Sequence, residues 1–524
     1  MKKYIKIFAV STLLVLSACS DDFLENTPYT DKVAENFYKT PKDAFQGLVA
    51  VYDALQQEDG FGGFLLTSEI ASDNCFGGFG TADPETVLGW DRFTYGIDLE
   101  MNNPVWKNCY KGIYKANILL ENLDKVNWGS DPSLKTRYEA EAKFLRAHFH
   151  FELARMFGNI VALDHTLTAS ELNLPRVEPE ITYALIASDL KFASDNLNND
   201  NYSQPANVNY GRITKWAAES YLAKAFLFYT DYYKKPDLAG VVTKAQAVTY
   251  VNDVVNNSGH GLIADFSHLW LAASLANYAG EGNTEMVWAV RYNGSGKGDW
   301  NLHEGNRFQV NIAPRGGDIG VYGTGWGGAP VTKKLYDAYE NGDTRRDATI
   351  IDYVGEGLNF DPIAREQRQY TGYSWKKYCR ITIAAGSTLG AGDFQIDNYE
   401  DYAVIRFADV LLMAAELNLD SNAGFAQICL NKVRERAFKD TAHNLPVTLP
   451  VIMNERRLEL ALEGSRYFDL IRQGTAVAKA AIDNTNSDPQ FNVTFRIETL
   501  GWFPLPQSQI LLSNGAISQN PGWN

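Results

Sequence analysis

Basic residues are outnumbered by acidic residues in this sequence. The chain has 48 lysine and arginine residues against 63 aspartate and glutamate residues, which gives a net charge of −15 at pH 7. A protein with this excess of negative charge repels phosphate backbones, so the composition disfavours nucleic-acid binding. It also disfavours adhesion to an anionic lipid surface through side chains alone.

Cysteine is scarce, with only five residues in 524. One of them, Cys19, lies near the N terminus, and the others are Cys75, Cys109, Cys379 and Cys429. None forms a C-x-x-C pair, so zinc binding and thioredoxin chemistry have no support. In an exported protein the last four cysteines allow three disulfide pairings, and their spacing does not choose between these and free thiols.

The motifs of the common catalytic classes are missing. The sequence contains no H-E-x-x-H, no G-x-S-x-G and no G-x-x-x-x-G-K-[ST], so familiar zinc, serine and P-loop chemistries have no support. A G-x-G-x-x-G pattern occurs at residues 323–328, but the residues before it are not strand-like and Pro330 follows it. We therefore interpret it as a loop that presents Tyr322 and Trp326 rather than as a dinucleotide site.

Two sets of ionisable residues have competing explanations. His148 and Glu152 are four residues apart and could share a metal ion, but no second pair is visible, so a structural hydrogen bond is favoured. Glu69, Asp73 and Asp83 lie in one aromatic loop and could supply the two carboxylates that a glycan hydrolase needs. Because the chain has 63 acidic residues, close pairs are expected by chance, and this alternative stays open.

The N terminus lacks an apolar run of the roughly 20 residues needed to cross a bilayer. Three lysines precede a shorter apolar run over residues 7–16, which ends in Leu-Ser-Ala-Cys at Cys19. This order predicts a signal peptide over residues 1–18 and a lipid anchor on Cys19. Residues 19–30 then form a polar, acidic tether to the main domain at 31–524.

Helical periodicity dominates the rest of the chain. The predicted helices cover residues 41–58, 102–123, 134–157, 181–197, 214–233, 243–256, 402–419, 425–438 and 451–472. Small alanines stand beside large aromatics at helical spacing, as in tetratricopeptide-like hairpins, although the 34-residue consensus is not legible. The pattern therefore predicts a mainly α fold built on a degenerate helical repeat.

Long insertions rich in glycine and aromatic residues separate the helices. They cover residues 60–98, 293–330 and 352–398, and the third has some strand-like alternation. Loops of this length in a compact protein are usually functional or disordered, and their aromatic content argues against disorder. We therefore expect a rigid helical scaffold that displays its function on insertions.

Several stretches together resemble the SusD-like (RagB/SusD) family of outer-membrane nutrient-binding lipoproteins. They include the lipobox with Asp22–Glu25, Ala142–Ala147, Gly211–Thr214, Asp343–Arg346, Glu455–Leu460 and Gln519–Trp523. The resemblance spans nearly the whole chain in the family's order. It implies a tetratricopeptide-like helical half packed against a more irregular part, with only a little β structure.

The resemblance also implies a function without catalysis. Family members bind glycans or other nutrients at the cell surface and act as a lid over a TonB-dependent transporter of the SusC type. We therefore expect an outer-membrane location facing the exterior and no cofactor, although loop carboxylates are compatible with a structural calcium ion. Three alternatives stay open, namely a peptide or other nutrient as cargo, a glycan hydrolase, and a scaffold that binds only protein.

The predicted binding site combines aromatic platforms with polar partners, because a sugar ring has an apolar C–H face and polar edges. The candidate platforms are Trp90, Trp300, Tyr322 and Trp326, with Phe76 and Phe79 as weaker candidates. The candidate polar partners are Asp73, Asn74, Asn301 and Arg307. All of them lie on the insertions, whereas Trp106, Trp216 and Trp288 lie in helical or strand-like patterns and are assigned to the core.

Overall fold

The computed structural model describes residues 37–56, 63–96, 100–202, 207–294, 299–300, 304–382 and 393–523. The predicted signal peptide, the anchor residue Cys19, the predicted tether and the candidate site residue Asn301 lie outside these described residues.

The N-terminal half is a stack of consecutive helices. They are α1 Pro41–Asp53, α2 Phe64–Ile70, α3 Leu88–Arg92, α4 Asn103–Asn122, α5 Ser133–Phe157, α6 Pro179–Asn196, α7 Lys215–Tyr233 and α8 Lys244–Asn257. From α4 to α8 each helix packs against the next, and α1 packs against α4 and α5. This arrangement confirms the predicted helical repeat, in which each unit buries its apolar face against its neighbours.

The C-terminal half has shorter helices between irregular segments. They are α9 Phe308–Ile312, α10 Lys333–Tyr336, α11 Arg345–Thr349, α12 Phe407–Asn418, α13 Ala423–Phe438, α14 Leu449–Glu459, α15 Arg466–Gln473, α16 Thr475–Ile482 and α17 Gln507–Leu512. Helix α12 packs against α8 and α13 and so extends the helical stack. Helix α15 packs against α7 and α2, which joins the two halves around a common core.

The β structure consists of two short antiparallel pairs. The strands are β1 Met286–Val290, β2 Ile350–Asp352, β3 Tyr373–Trp375 and β4 Tyr402–Arg406. In the first pair Ala289 of β1 lies opposite Ala403 of β4, and in the second pair Ile351 of β2 lies opposite Ser374 of β3. Trp288 is buried in β1, and Trp106 and Trp216 are buried in helices, which confirms their assignment to the core.

Local capping sets the helix ends that were predicted most closely. Thr214 is the N-cap of α7, and its side chain accepts a hydrogen bond from the Ala217 N–H. Gly158 ends α5 with a left-handed φ of 70°, and a Cβ atom there would come within 2.4 Å of the Trp502 ring. Glycine is therefore required at this position both by the backbone conformation and by the neighbouring side chain.

Two predicted helices are wrong in extent at one end. The helix predicted over residues 402–419 begins only at Phe407. The preceding residues form β4, and their main-chain groups are hydrogen-bonded to β1 instead. The helix predicted over 41–58 ends at Asp53, with Ala54 as its C-cap. In the first case tertiary pairing overrides a helical pattern in the sequence.

The helix predicted over residues 451–472 is in fact two helices, α14 and α15. Between them Leu462 and Gly464 have left-handed φ values of 65° and 80°. The Gly464 N–H donates a hydrogen bond to the Glu69 carboxylate at 2.7 Å. The interruption is therefore held by a partner nearly 400 residues away in sequence, which helical periodicity does not reveal.

A buried network of charges connects the helices beneath the insertions. One oxygen of Glu459 accepts hydrogen bonds from Arg406 at 2.9 Å and Arg436 at 2.5 Å, and the other accepts from Arg345 at 3.2 Å. Burial alone would raise the pKa of Glu459, but Arg436, Arg406 and Arg345 lower it well below its usual range. The three arginines come from β4, α13 and α11, so one carboxylate of α14 holds three other elements.

The four cysteines Cys75, Cys109, Cys379 and Cys429 are buried and free, which answers the question that their spacing left open.

Across the described ranges, no helix is both long enough and apolar enough to cross a membrane.

Candidate functional site

Main-chain hydrogen bonds join three stretches of the insertions into one layer, which we call the loop layer. It comprises residues 71–87, 304–332 and 353–382. The Phe79 N–H donates to the Gly327 carbonyl at 2.9 Å, and the Phe79 carbonyl accepts from the Arg368 N–H at 2.9 Å. Residues 71–87 are thus fixed to the other two stretches, as in a small irregular sheet.

Two glycines allow these stretches to approach closely. Gly78 has a left-handed φ of 74°, and a Cβ atom there would lie 2.2 Å from Cδ of Pro330. A Cβ atom on Gly80 would lie 1.9 Å from the guanidinium of Arg315. The glycine content of the insertions therefore serves close packing between loops as well as turning of the chain.

Trp300 is the predicted platform that lies most clearly at the surface, with 43% of its area exposed. The guanidinium carbon of Arg307 lies 4.8 Å from the centre of the Trp300 ring. Arg307 is the N-cap residue of α9, and all five residues of α9 are buried. The arginine that covers one part of the tryptophan is therefore attached to the core.

Trp326 is half-buried and borders the other end of α9. Its main-chain N–H donates to the Val310 carbonyl at 2.8 Å, and its main-chain carbonyl accepts from the Arg315 guanidinium at 3.3 Å. A helix of five residues is about 7.5 Å long. Trp300, through Arg307, and Trp326, through its main chain, therefore both contact α9, and we call their surroundings the surface around α9.

The polar rim of this surface includes an ion pair that sequence reasoning missed. Arg315 donates to the Asp83 carboxylate at 2.9 Å, and Arg365 donates to the carbonyls of Arg315 and Gly317 at 2.6 and 2.7 Å. Asp83 and Arg315 are 232 residues apart, so no local pattern could have paired them. Together these bonds hold the loop beside Trp326 in one conformation.

Two predicted platforms are wrong. Trp90 is only 1% exposed, and its indole N–H donates to Asn102 at 3.1 Å. Tyr322 is 3% exposed, and its hydroxyl donates to Glu356 at 2.6 Å. Both rings pack inside the protein, so neither can present a face to a ligand. The weaker candidates Phe76 and Phe79 are buried as well.

Two predicted polar partners are also wrong, because they are buried and engaged. Asp73 pairs with Arg466 at 2.7 Å and with Arg457 at 2.9 Å. Burial would raise the pKa of Asp73, but these two arginines lower it. Asn74 donates to Glu69 at 3.1 Å and accepts from Arg457 at 3.2 Å. Both residues connect the loop layer to arginines of the C-terminal helices.

Comparison with known proteins gives the family of the chain. Residues 284–523 match the SusD family, and residues 22–227 match the family described as "Starch-binding associating with outer membrane". The chain belongs to the SusD-like family. SusD-like protein P2 of Formosa agariphila is 27% identical over 551 residues, covering 100% of both chains.

Two solved structures resemble this SusD-like protein over nearly its whole length. A laminarin-binding SusD-like protein superposes with a TM-score of 0.77 at 29% identity, covering 93% of this chain and 100% of that one. Surface glycan-binding protein A from Bacteroides fluxus superposes with a TM-score of 0.78 at 25% identity, covering 92% and 100%. Both relatives are named as binding proteins and not as enzymes.

The carboxylates considered for a hydrolase have other partners in this SusD-like protein. Glu69 is buried, accepts hydrogen bonds from Asn74 and the Gly464 N–H, and has its pKa raised to about 7 by burial. Asp73 and Asp83 are each paired with arginine. All three carboxylates therefore have a structural role in the contacts that the structure shows.

His148 and Glu152 form the structural hydrogen bonds that the sequence favoured. Nδ1 of His148 lies 2.6 Å from the Tyr221 hydroxyl, which donates to Glu152 at 3.0 Å. Burial lowers the pKa of His148 to about 4, so the ring is neutral at pH 7.

Within the described part of the chain, no group of three or more His, Cys, Asp and Glu residues is placed to hold a metal ion. A structural calcium ion remains a prediction.

Proposed function

We propose that this protein binds a glycan at the cell surface, on the surface around α9, and delivers it to a SusC-like TonB-dependent transporter. The observation that carries the proposal is the exposed Trp300 ring held beside Arg307, with Trp326 at the other end of α9. An aromatic face beside a few fixed polar groups is the combination that suits a sugar ring.

The geometry supports binding rather than reaction. The indole of Trp300 offers an apolar face for the C–H side of a pyranose ring, while Arg307 and the Arg315–Asp83 pair offer donors and an acceptor for its hydroxyl groups. The stretches that carry Arg307, Arg315 and Asp83 are fixed by main-chain hydrogen bonds, so little conformational entropy is lost in them when cargo binds.

Glucans are the first cargo to test. One structural relative is named for laminarin binding, and one of the matched families is described as starch-binding. These names support a glucan but belong to the relatives. Titration calorimetry with laminarin, starch and a peptide pool would therefore separate a glucan from the alternative of a peptide or another nutrient.

The deciding experiment compares Trp300→Ala and Trp326→Ala with Tyr114→Ala as a matched control. Tyr114 is 56% exposed on α4, away from the loop layer. We expect the Trp300 variant to lose affinity for the bound glycan by about tenfold or more, with a weaker effect for Trp326, which is partly buried. The control should bind as the wild type does. Equal affinities for all three variants would exclude the surface around α9 as the binding site.

A hydrolase would give a different result when the purified protein is mixed with its glycan. Incubation of the purified protein with the glycan that it binds should produce no new reducing ends. Formation of new reducing ends, and loss of that activity in a Glu69 or Asp83 variant, would favour the hydrolase alternative over capture.

Membrane attachment and delivery form the remaining part of the proposal. The lipobox supports acylation of Cys19, and the description of one matched family supports association with the outer membrane. A Cys19→Ser variant should leave the membrane fraction and should not incorporate a fatty-acid label. Copurification of the wild-type protein with a transporter encoded beside it would support delivery, and repeated failure to copurify would count against it.

A further inference from the structure

A second candidate site lies where the loop layer meets residues 481–493. It is a cleft of about 310 Å³, which we call the basal cleft. Residues 72–76, residues 332–334, Thr371 and residues 481–493 contribute its lining. The last of these segments is more than 400 residues beyond the first, so the cleft exists only in the folded chain.

The floor of the basal cleft holds the Asp73 carboxylate, which lies beside three cations, of which only Lys334 lines the cleft itself. Asp73 accepts from Arg466 at 2.7 Å and from Arg457 at 2.9 Å, and Nζ of Lys334 lies 3.8 Å from the same carboxylate. Lys334 also donates to the Ala481 carbonyl across the cleft. One acidic group cannot neutralise three basic groups, so positive charge is left over at the floor.

The remaining charged groups of the cleft do not remove this excess. Lys333 pairs with Asp337 at 2.5 Å, and Asp483 pairs with Lys479 at 2.7 Å. The groups that line the cleft, together with their ion-pair partners, are five cations and three carboxylates, an excess of two positive charges. Glu69, behind Asn74, adds less than one negative charge at pH 7, because burial raises its pKa to about 7. In a protein with a net charge of −15, such a region is unusual.

The wall of the cleft is apolar. Its accessible ring is that of the half-buried Phe491, which meets the buried Phe76 edge to face with ring centres 5.0 Å apart, and Ile482 and Val493 also line the cleft. Cationic groups beside an aromatic wall fit a sugar that carries a negative charge, because the ring can lie against the apolar side while its charged group faces the cations.

We propose that the basal cleft binds the oxyanion of an acidic sugar, either the carboxylate of a uronic acid or a sulfate ester. Lys334 at the rim makes the direct contact, and Arg457 and Arg466 supply the field behind it. Because the cargo is taken to be a glycan, the inference rests on the proposed function. It adds a charged subsite to the neutral platform around Trp300.

The two sites are physically connected. The segment from Trp326 to Thr332 passes from one to the other, and six residues of extended chain span at most about 20 Å. Along it Val331 pairs with Cys75, next to Phe76, and Gly328 pairs with Gly78. Trp326 and Thr332 therefore lie within about 20 Å of each other.

The test compares Lys334→Gln with Lys244→Gln. The two lysine side chains are 52% and 50% exposed, and each lies near one aspartate, but Lys244 is on α8, far from the cleft in sequence. Titration calorimetry of the mature protein would use sulfated, uronic-acid and neutral oligosaccharides of equal length, and inorganic sulfate alone. Thermal melting would confirm that both variants are folded.

We expect Lys334→Gln to weaken binding of the charged oligosaccharides about fivefold or more, and to leave the neutral one unchanged. Raising the salt concentration should weaken binding of the charged oligosaccharides by the wild type. A larger effect for sulfate or for carboxylate would identify which oxyanion is the natural one. Equal behaviour of Lys334→Gln and Lys244→Gln would overturn the proposal. If no oligosaccharide bound but inorganic sulfate bound in a Lys334-dependent manner, glycan binding would fail while the oxyanion site would stand.

Discussion

Arg307 lies over the ring of Trp300, with its guanidinium carbon 4.8 Å from the ring centre, while 43% of the tryptophan remains exposed. An exposed tryptophan without such a contact would sample several rotamers and would lose that freedom on binding. Because Arg307 caps the buried helix α9, the ring is oriented from the core outward.

Replacing Arg307 should weaken glycan binding without unfolding the protein. Cation–π contacts at exposed sites contribute about 0.5–1 kcal/mol, so we expect Arg307→Ala to reduce affinity roughly two- to fivefold. Arg307→Lys should retain part of the affinity because it keeps the charge. Calorimetric titration measures both, and an Arg307→Ala variant with wild-type affinity would mean that Trp300 needs no such support.

Gly305 should not tolerate a side chain. A Cβ atom there would lie 2.0 Å from the Ile396 carbonyl oxygen, which is main chain and cannot move alone. We expect Gly305→Ala to lower the free energy of unfolding by about 1–3 kcal/mol, as overpacking does, and to reduce glycan affinity by shifting Arg307. Gly261 is the control, because a Cβ atom there meets nothing within 4 Å. Chemical denaturation of both variants should separate them clearly.

Removing the charge of Glu459 should be strongly destabilising. Glu459→Gln leaves Arg406, Arg436 and Arg345 buried without their shared carboxylate, and breaking a buried pair in this way costs about 3–5 kcal/mol. The half-exposed Glu340, 3.4 Å from Arg434, is the control, and Glu340→Gln should change stability by at most about 1 kcal/mol. Similar unfolding free energies for the two variants would show that the buried network contributes no more than a surface pair.

Acid should destabilise the protein by protonating buried carboxylates whose pKa values are lowered by neighbouring arginines. The arginines near Glu459 lower its pKa despite burial, and Arg456 and Arg472 lower that of Asp469 to about 2. A carboxylate with a lowered pKa adds stability above its unfolded pKa of about 4, and this stability is lost as pH falls toward the folded value. Melting temperature should therefore fall steeply below about pH 4, and less steeply in Glu459→Gln.

Glu219 should reduce the stability of the protein as the pH becomes alkaline. Burial raises its pKa to about 8, although Lys215 lies 3.3 Å away. The folded state then holds a proton that the unfolded state has released, so Glu219 reduces stability as pH rises from about 4.5 through 8. Glu219→Gln removes this term and should melt higher than the wild type near pH 9. Parallel melting curves from pH 4.5 to 9 would contradict this assignment.

The helical repeat, the family and the acidic character could all be predicted from the sequence. They follow from composition and from short-range order, such as the helical period and the capping by Thr214 and Gly158. The export signal and the lipid anchor on Cys19 remain predictions. The insertions were also recognisable, because their length and aromatic content set them apart from the helices. Trp300 and Arg307 could be proposed for this reason, although their contact could not.

The tertiary structure alone decided which insertion residues reach the surface. Trp90 and Tyr322 lie in insertions as Trp300 does, but they are buried, with hydrogen bonds to Asn102 and Glu356. Asp73 meets Arg457 and Arg466, nearly 400 residues away, and the basal cleft results from that meeting. Burial and charge pairing depend on the segments that pack together, and local sequence carries little information about partners so distant in the chain.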